Sequence, residues 1–450
     1  MNRAGLLVSV AVALALAACS VFFLWPAGEL VLALRDPALG GPAPATQAGR
    51  WHRALSPRFA EWAEDRLMRK QATTLSMHDI SGTEWPLFSA MYYLRATDSL
   101  QIAWLRNPEG DPPAQYARAA IDAAAALLAD PAQAHWVKLH WGADRYLSHE
   151  NVFYRMLVID GLASQWRMLG STPHRQLLHD QVTGLAAELA AAETGLLADY
   201  PGQTFPADVA AAWHAILRAD PLLGTDHREQ IGAGMRGFTG AMAPSGGLPP
   251  YAWFGEAPSR PTTVRGSANS WLLHHAPFLW PDQARIWMSA HEREHWQADR
   301  WLSGFREFRP GDPSAEDGDV DSGPILLGRG TAASAFGIGA ARSAGRGDLA
   351  RPLALQAIAA AWPLPNGRLL VPWLLSDRRH AALLGESAML YNLTQPAATG
   401  IATDQPVLAG ATPRVVWLML ALQVLVGLTF LVAAARALRR AGAAWSRSRQ

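Results

Sequence analysis

Cysteine is almost missing from this sequence of 450 residues, in which Cys19 is the single copy and lies inside an apolar stretch. The rest of the chain therefore offers no disulfide framework, no cysteine metal site and no thiol nucleophile. An excess of one charge is missing too, because the formal net charge is +1. No global field attracts nucleic acid, so we expect no nucleic-acid partner, and any chemistry must use oxygen and nitrogen groups.

Two long apolar runs are present, and the first covers residues 4–25 without a charged side chain. A helix needs about 20 apolar residues to cross the hydrocarbon core, so this run predicts a transmembrane helix or signal anchor. Residues 16–19 also match the pattern that precedes a lipidated cysteine, so cleavage and lipidation at Cys19 are an alternative. The run continues past Cys19 to Trp25, and this favours an uncleaved anchor.

The second apolar run covers residues 415–435 and is followed by an arginine-rich tail at 436–450. The positive-inside rule predicts that this tail is cytoplasmic. Because one span precedes the tail, we expect both termini in the cytoplasm and the domain between the spans in the periplasm, anchored to the inner membrane. Pro26 and the stretches 37–46 and 394–413 are predicted linkers.

The domain at 48–393 has apolar residues mainly at helical spacing, and few of its segments alternate with the period of two that strands require. The predicted fold class is therefore all-α. Loops that contain Pro and Gly delimit the predicted helices, near residues 48–71, 85–105, 112–130, 149–169, 173–194, 206–219, 225–242, 267–278, 280–297, 328–344, 346–361 and 378–393.

Helices of this number and length, without an internal linker, fit either a helical solenoid or a closed double ring of inner and outer helices. A solenoid should show a motif that repeats at a fixed period, and the sequence has no such repeat. We therefore expect an (α/α)6 toroid flanked by the two transmembrane helices. In a toroid the ends of the inner helices converge on one funnel, where a ligand site is expected.

Polar and aromatic residues collect at several predicted loop-to-helix junctions. In a toroid these side chains would face the funnel, where they could bind a small molecule or an oligosaccharide. The residues predicted to bind substrate are Asp79, Glu84, Trp85, His149, Glu150, Asn151, Tyr154, Tyr200, Arg265, Asp319 and Asp321.

Asp199 and Asp208 are the predicted catalytic residues. They bracket a loop with the aromatic residues Tyr200 and Phe205, a layout that can place two carboxylates around one small ligand. General acid and base catalysis on a sugar or an alcohol needs two such groups with separated pKa values. The alternative is structural, since Asp208 follows Pro206 by two residues and can cap its helix.

Other junction residues also have a structural interpretation. Ser148 can be the N-cap of the next helix, with Asn151 as its N3 residue. Glu84 can either support the loop that contains Asp79 or line the pocket, and Trp85 beside it offers a flat face on which a sugar ring can stack.

Two patterns resemble metal sites but lack essential parts. Asp317, Asp319 and Asp321 have the spacing of a calcium loop without its later Gly and Glu. His291 and His295 form His-Glu-x-x-His, yet no further zinc ligand follows and the helix has the composition of a solvated outer one. We therefore predict neither a metal nor an organic cofactor.

Residues 149–360 resemble the linalool dehydratase/isomerase family, periplasmic (α/α)6 proteins that interconvert and dehydrate monoterpene alcohols. The resemblance implies the toroid fold and a pocket at the loop 199–208. It rests on segments in the same order: Glu150-Asn151 with Tyr154 at a helix start, the loop 199–208, Ser270-Trp271, and the Asp/Gly-rich turn before residues 332–342.

The sequence departs from this family at the catalytic positions. The family has two catalytic cysteines in the loop, and Asp199 and Asp208 stand at the matching places, while Leu157 stands where the family's catalytic histidine is expected. Carboxylates cannot repeat thiol chemistry, although they can act as acid and base on a C–O bond. The resemblance therefore supports the fold and the pocket more than a terpenoid substrate.

Three functional hypotheses follow. The first is an enzyme whose carboxylate pair acts on C–O bonds of a cell-envelope or exopolysaccharide glycan, by analogy with other toroids. The second is a hydratase, dehydratase or isomerase of a small apolar alcohol, whose pocket would be closed and apolar where a sugar site would be open and polar. The third is a non-catalytic binding or scaffold component of an envelope assembly system.

Overall fold

The computed structural model describes residues 3–239, 247–255, 260–312, 318–400 and 410–447. The described part is mostly helical with a few short strands, and the predicted helical class is confirmed. Short 3-10 turns lie at Pro37–Leu39, Gln71–Thr74 and Met235–Phe238. The α-helices are α1 (Arg3–Arg35), α2 (Ala48–Arg69), α3 (Ile80–Thr83), α4 (Trp85–Arg106), α5 (Pro113–Tyr116), α6 (Arg118–Ala129), α7 (His135–Trp141), α8 (Val152–Leu169), α9 (Arg175–Ala191), α10 (Pro206–Leu223), α11 (Arg228–Gly234), α12 (Gly266–Leu279), α13 (Pro281–His295), α14 (Thr331–Ser343), α15 (Gly347–Ala361), α16 (Leu370–Leu375), α17 (Leu384–Thr394) and α18 (Arg414–Arg447).

Small antiparallel sheets tie the loops together. The first fixes the loop before α10, and the third leads directly into α14. The strands are β1 (Gln203–Thr204), β2 (Trp253–Phe254) and β3 (Arg260–Pro261) in the first sheet, β4 (Trp296–Ala298) and β5 (Ser303–Phe305) in the second, and β6 (Ile325–Leu326) and β7 (Arg329–Gly330) in the third.

The terminal helices α1 and α18 pack side by side. Both are long and apolar enough to cross a membrane, over Gly5–Arg35 and Arg414–Ala443. Ser20 Oγ donates a hydrogen bond to the carbonyl oxygen of Gly427 at 2.9 Å, which joins the two helices.

α1 continues beyond the predicted linker residue Pro26, which lies inside the helix. Its last turns belong to the core of the domain, because Leu30 and Ala33 are buried there and the buried Glu29 carboxylate pairs with Arg50. The prediction of a linker at Pro26 is therefore wrong, since packing against the domain holds this stretch in the helix.

Six helices contact one another in a closed order: α4 packs on α8, α8 on α10, α10 on α12, α12 on α14, α14 on α17, and α17 on α4. Other helices pack on one or two of these, namely α2 on α17, α6 on α4 and α8, α9 on α8 and α10, α13 on α12, and α15 on α14. Most of the predicted helices form, but 112–130 divides into α5 and α6, and 225–242 gives only α11 and a 3-10 turn, with residues 240–242 outside the described ranges. Tertiary contacts alone reveal which helices are neighbours.

The C-terminal ends of two helices in this closed set lie against the segment that follows α1. The Arg342 guanidinium, in the last turn of α14, donates to the carbonyl oxygen of Ala38 at 2.7 Å. The backbone N–H of Ala45 donates to the carbonyl oxygen of Leu393, near the end of α17, at 3.2 Å. The N-terminal ends of α14 and α17 therefore lie at the opposite end of the domain.

The start of α8 differs from its prediction. Glu150 and Asn151 have positive φ angles of 45° and 54°, so the chain turns there and the helix begins at Val152. Asn151 stands at the N-cap position, and the hydroxyl of Ser148 donates to the carbonyl oxygen of Asp144 instead of capping α8. The assignment of Ser148 as N-cap and Asn151 as N3 is wrong because this left-handed turn shortens the helix.

A charged network is buried between α4, α8 and α10. Arg218 donates to Asp98 at 2.6 Å and also pairs with Asp160, while Arg167 donates to Asp98 at 3.0 Å. Arg95 donates to Asp160 at 3.2 Å. Such a network fixes the mutual positions of these helices, since each carboxylate is paired with two guanidinium groups.

Candidate functional site

Four carboxyl groups lie close enough to influence one another where the N-terminal ends of α4 and α10 meet two loops. Glu84 precedes α4, Asp208 is in the first turn of α10, Asp199 is in the loop before α10, and Asp321 is in the loop before α14. The charges of Asp321 and Asp208 raise the pKa of Glu84, and the charge of Asp208 raises the pKa of Asp199. We call these four residues the carboxyl cluster.

Asp199 is held by its own loop. Its Oδ2 accepts a hydrogen bond from the backbone N–H of Phe205 at 2.8 Å, and its backbone N–H donates to the carbonyl oxygen of Gln203 at 2.9 Å. The side chain is only 1% exposed. Burial first, and the charge of Asp208 second, hold the pKa of Asp199 well above its usual value, so this carboxyl group is harder to ionise than an exposed one.

Asp208 faces the neighbouring helix α12. Its Oδ1 accepts a hydrogen bond from the indole Nε1 of Trp271 at 2.8 Å, and it makes no capping bond to α10. Burial raises the pKa of Asp208 to about 7, although the Trp271 hydrogen bond opposes the shift. The group therefore changes its charge close to neutral pH.

Glu84 is joined to the loop of Asp199 through a phenol. The hydroxyl of Tyr200 donates to Glu84 Oε1 at 2.7 Å, and the Tyr200 ring lies near Phe153 and Trp136, with centroid distances of 6.3 and 6.1 Å. Burial raises the pKa of Glu84 to about 8, against the Tyr200 hydrogen bond, which lowers it. At neutral pH Glu84 is thus mostly a protonated acid.

Asp321 is bound on the other side of the cluster. Its Oδ2 accepts a hydrogen bond from the hydroxyl of Tyr251 at 2.5 Å, and the guanidinium of Arg265 lies 4.2 Å from the centre of the Tyr251 ring. Arg265 in turn holds Asp319 with two hydrogen bonds of 2.7 and 2.8 Å and donates to Glu307 at 2.7 Å. Partial loss of hydration, and then the charge of Asp319, raise the pKa of Asp321, although the residue itself is exposed.

Aromatic rings pack against one another between α4, α12, α14 and α17. The Trp271 ring centroid lies 6.2 Å from those of Phe88 and Tyr92 and 5.2 Å from that of Phe336, and Tyr92 stacks on Tyr391 at 4.8 Å. The charges of Tyr391 and Asp208 add to burial in raising the pKa of Tyr92, which places this phenol near the carboxyl cluster. The surroundings of the cluster are therefore mostly apolar.

Several residues predicted to bind substrate have other surroundings. Asp79 caps α3 by accepting from the backbone N–H of Gly82 at 3.0 Å. Asn151 donates to the carbonyl oxygen of Tyr146 at 2.6 Å, and the Tyr154 hydroxyl donates to that of Leu128 at 3.2 Å. These contacts turn the three predicted residues toward neighbouring backbone.

The remaining predicted residues lie around the cluster. His149 packs on Trp141 with a centroid distance of 5.7 Å, and the charge of Glu150 raises the pKa of Asp199 from nearby. Trp85 borders a shallow surface depression together with Asp319. The residues predicted to bind substrate therefore lie partly in the carboxyl cluster, partly at its edge and partly at the start of α8.

The sequence interpretation omitted Tyr92, Tyr251 and Trp271 from the site. Tyr92 had a detectable signal, because Trp85, Phe88 and Tyr92 follow one another at helical spacing and share one face of α4. Tyr251 and Trp271 reach the carboxyl groups through tertiary contacts, which local spacing does not encode.

Within the described ranges, no three His, Cys, Asp or Glu side chains lie close enough to hold a metal ion, and Asp317 lies outside those ranges. His291 and His295 are fully buried on the inner face of α13, while Arg285 and Arg293 on its other face are exposed. His291 Nε2 is 3.0 Å from the hydroxyl of Ser270, and His295 Nδ1 donates to the carbonyl oxygen of Arg306 at 3.2 Å. These contacts give the pair a packing role between α13 and its neighbours.

Comparison with known proteins adds no relative to this description. No protein-family model matches the sequence, and no curated protein matches it significantly. The resemblance to the linalool dehydratase/isomerase family therefore stays a prediction. The carboxyl cluster is the structural feature that bears on function.

Proposed function

We propose that the protein is a membrane-anchored enzyme with an extracytoplasmic (α/α)6 toroid that makes or breaks C–O bonds. The closed order of contacts from α4 round to α17, with further helices packed outside, supports the toroid. Two long apolar helices at the ends support anchoring, and the arginine-rich tail supports cytoplasmic termini.

One observation carries the catalytic part: Glu84 and Asp208 lie close enough to influence each other and are hydrogen-bonded to the aromatic side chains of Tyr200 and Trp271, and their pKa values are raised to about 8 and about 7. At neutral pH the first is mostly a proton donor, while the second is available as a base. General acid–base catalysis requires an acid and a base whose pKa values lie near the working pH.

In a dehydration, Glu84 donates its proton to the hydroxyl oxygen of the substrate, the C–O bond breaks and water leaves. Ionised Asp208 accepts a proton from the neighbouring carbon, whose C–H electrons form the new C=C bond. Tyr200 holds the Glu84 carboxyl group in place, and Trp271 does the same for Asp208. Asp199 lies in the loop before α10 and supports that loop by accepting the hydrogen bond from the backbone N–H of Phe205.

The surroundings favour a substrate with an apolar body and a hydroxyl group. The rings of Phe88, Tyr92, Trp271 and Phe336 offer mainly apolar surface, and Tyr92 and Trp271 are only 3% and 6% exposed. This agrees with the apolar-alcohol hypothesis, since such a site should be closed and apolar apart from a few polar groups.

A glycan substrate is the second candidate. It is favoured by the partly exposed Trp85 beside Asp319 in the shallow depression near the cluster, where a sugar ring could stack and form hydrogen bonds.

A thermal-shift screen of the full chain in detergent tests both candidates. Bound ligand raises apparent stability by mass action, so apolar alcohols of increasing length and envelope oligosaccharides can be compared directly. We expect an alcohol to stabilise the wild type and the control Glu193→Gln, whose side chain is exposed, and to lose its effect in Glu84→Gln and Asp208→Asn. A shift from oligosaccharides alone would support the glycan candidate, and no shift from either class would favour a scaffold.

A further inference from the structure

The carboxyl cluster lies at the end of the domain that is nearer the part of α1 proposed to cross the membrane. α15 runs beside α1: its start at Gly347 lies against Gly40, just after α1, whereas Trp362 at its end packs on Phe22 and Phe23 within α1, with ring centroids 5.4 Å apart. α15 is therefore antiparallel to α1, and its C-terminal end is the one nearer the apolar span.

The neighbouring helix α14 shows that the cluster lies on the side of the domain nearer the span. Arg342 in its last turn contacts Ala38, on the far side from the span, so Thr331 at its start lies toward the span. Asp321 precedes that start, and its charge acts on both Glu84 and Asp208. The cluster thus lies at the end of the domain from which the apolar helices project.

The length of α1 supports a position of this end of the domain at the membrane surface. The part of α1 before Phe22 is roughly 28 Å long at 1.5 Å per residue, close to the about 30 Å of the hydrocarbon core. With that part in the bilayer, Trp362 lies at the membrane surface. A second alignment takes the uncharged stretch 415–435 of α18 as the membrane span. Because Ser20 pairs with Gly427 inside that stretch, Trp362 then lies deeper in the bilayer. Both alignments place this end of the domain in contact with lipid.

Exposed large apolar side chains collect at this same end. Leu327 is 75% exposed in the turn before α14, and Leu375 is 79% exposed at the end of α16, a helix without any buried residue. At the opposite end of α4, Leu105 is 64% exposed. We call the following residues the apolar rim: Met68, Leu139, Leu326, Leu327, Leu374 and Leu375.

The flanks of the rim have the composition of a membrane interface. The Trp373 ring in α16 lies between the guanidinium groups of Arg368 and Arg378, which are 4.9 and 4.6 Å from its centre. Trp is enriched at the boundary between headgroups and acyl chains, and arginine next to it pairs with anionic lipid phosphates.

We propose that the apolar rim rests in the outer surface of the bilayer that holds α1 and α18, so that the site receives its substrate from the lipid phase. The proposal rests on the membrane anchoring in the proposed function and deepens it, because the substrate becomes an alcohol dissolved in the membrane. Large exposed apolar surface beside a membrane span is stabilised by burial in the lipid interface.

Site-specific fluorescence in the full chain tests the proposal without requiring activity. In a Cys19→Ser background, Leu375→Cys, Leu327→Cys and Leu105→Cys each receive an environment-sensitive fluorophore, and the protein is reconstituted into phosphatidylethanolamine–phosphatidylglycerol vesicles that contain nitroxide-labelled lipid. Leu105 is the matched control, because it is exposed at the opposite end of the domain. We expect several-fold stronger quenching at positions 375 and 327 than at position 105.

Equal, weak quenching at all three positions would overturn the proposal while leaving the acid–base site untouched. A fluorophore on the native Cys19, which lies within α1, distinguishes membrane anchoring by α1 from insertion of the apolar rim. If lipid quenches Cys19 but not the rim, only the rim proposal fails, and if Cys19 is not quenched either, the membrane anchoring itself fails.

Discussion

Replacing Glu84 by glutamine should remove a loss of stability that the wild type suffers as the pH rises. The carboxyl group has an ordinary pKa of 4.5 and a folded-state pKa of about 8, because it is buried near other acids. Between these values the folded chain binds more protons than the unfolded chain, so the free energy of unfolding falls with rising pH. The slope is at most about 1.4 kcal/mol per pH unit for one group, and the whole window is worth at most about 5 kcal/mol.

Glutamine suits this test because its amide oxygen can still accept the hydrogen bond from Tyr200. The assay is the unfolding temperature in detergent from pH 4.5 to 8.5, compared among wild type, Glu84→Gln and the exposed control Glu193→Gln. The Glu84 variant should match the wild type at the acidic end and be more stable by several degrees at the alkaline end. Parallel curves for all three proteins would refute the raised pKa of Glu84.

Three further substitutions test the site and the packing. Trp271→Phe removes the hydrogen bond to the Asp208 carboxylate and should move its pKa above about 7, as measured by infrared titration of the protonated carboxyl band. Gly339→Ala would place a Cβ within 2.3 Å of a buried imidazole and should cost about 1–3 kcal/mol in chemical unfolding, whereas Gly232→Ala, in open space on α11, should be neutral or stabilising. Arg218→Met leaves buried carboxylates short of a partner and should cost about 3–5 kcal/mol; a change below about 0.5 kcal/mol would contradict the network.

Helical periodicity predicts the longer helices well, because one face of each is buried. α4 and α15 begin and end within a residue of their predicted bounds, whereas α3, α7 and α16 escaped prediction. Helices of one or two turns show too little of the 3.6-residue period to be recognised. The early start assigned to α8 failed because left-handed φ angles at Glu150 and Asn151 interrupt a sequence that is otherwise compatible with a helix.

The carboxyl cluster was predictable in its members more than in its geometry. Glu84, Asp208 and Asp321 lie at junctions that sequence patterns identify, since polar residues beside Pro and Gly end helices. Their mutual influence depends on contacts between distant elements, such as Trp271 on α12 with Asp208 on α10. Burial, which shifts their pKa values, follows from the packing of several helices and has no local signal.

The catalytic proposal depends most directly on two carboxyl groups that titrate near neutral pH. Infrared difference spectra between wild type and Glu84→Gln, and between wild type and Asp208→Asn, isolate the protonated carboxyl band of each residue as the pH changes. We predict midpoints near pH 8 for Glu84 and near pH 7 for Asp208. Midpoints for both groups at about 4, the ordinary value for exposed carboxyl groups, would contradict the proposed acid–base pair.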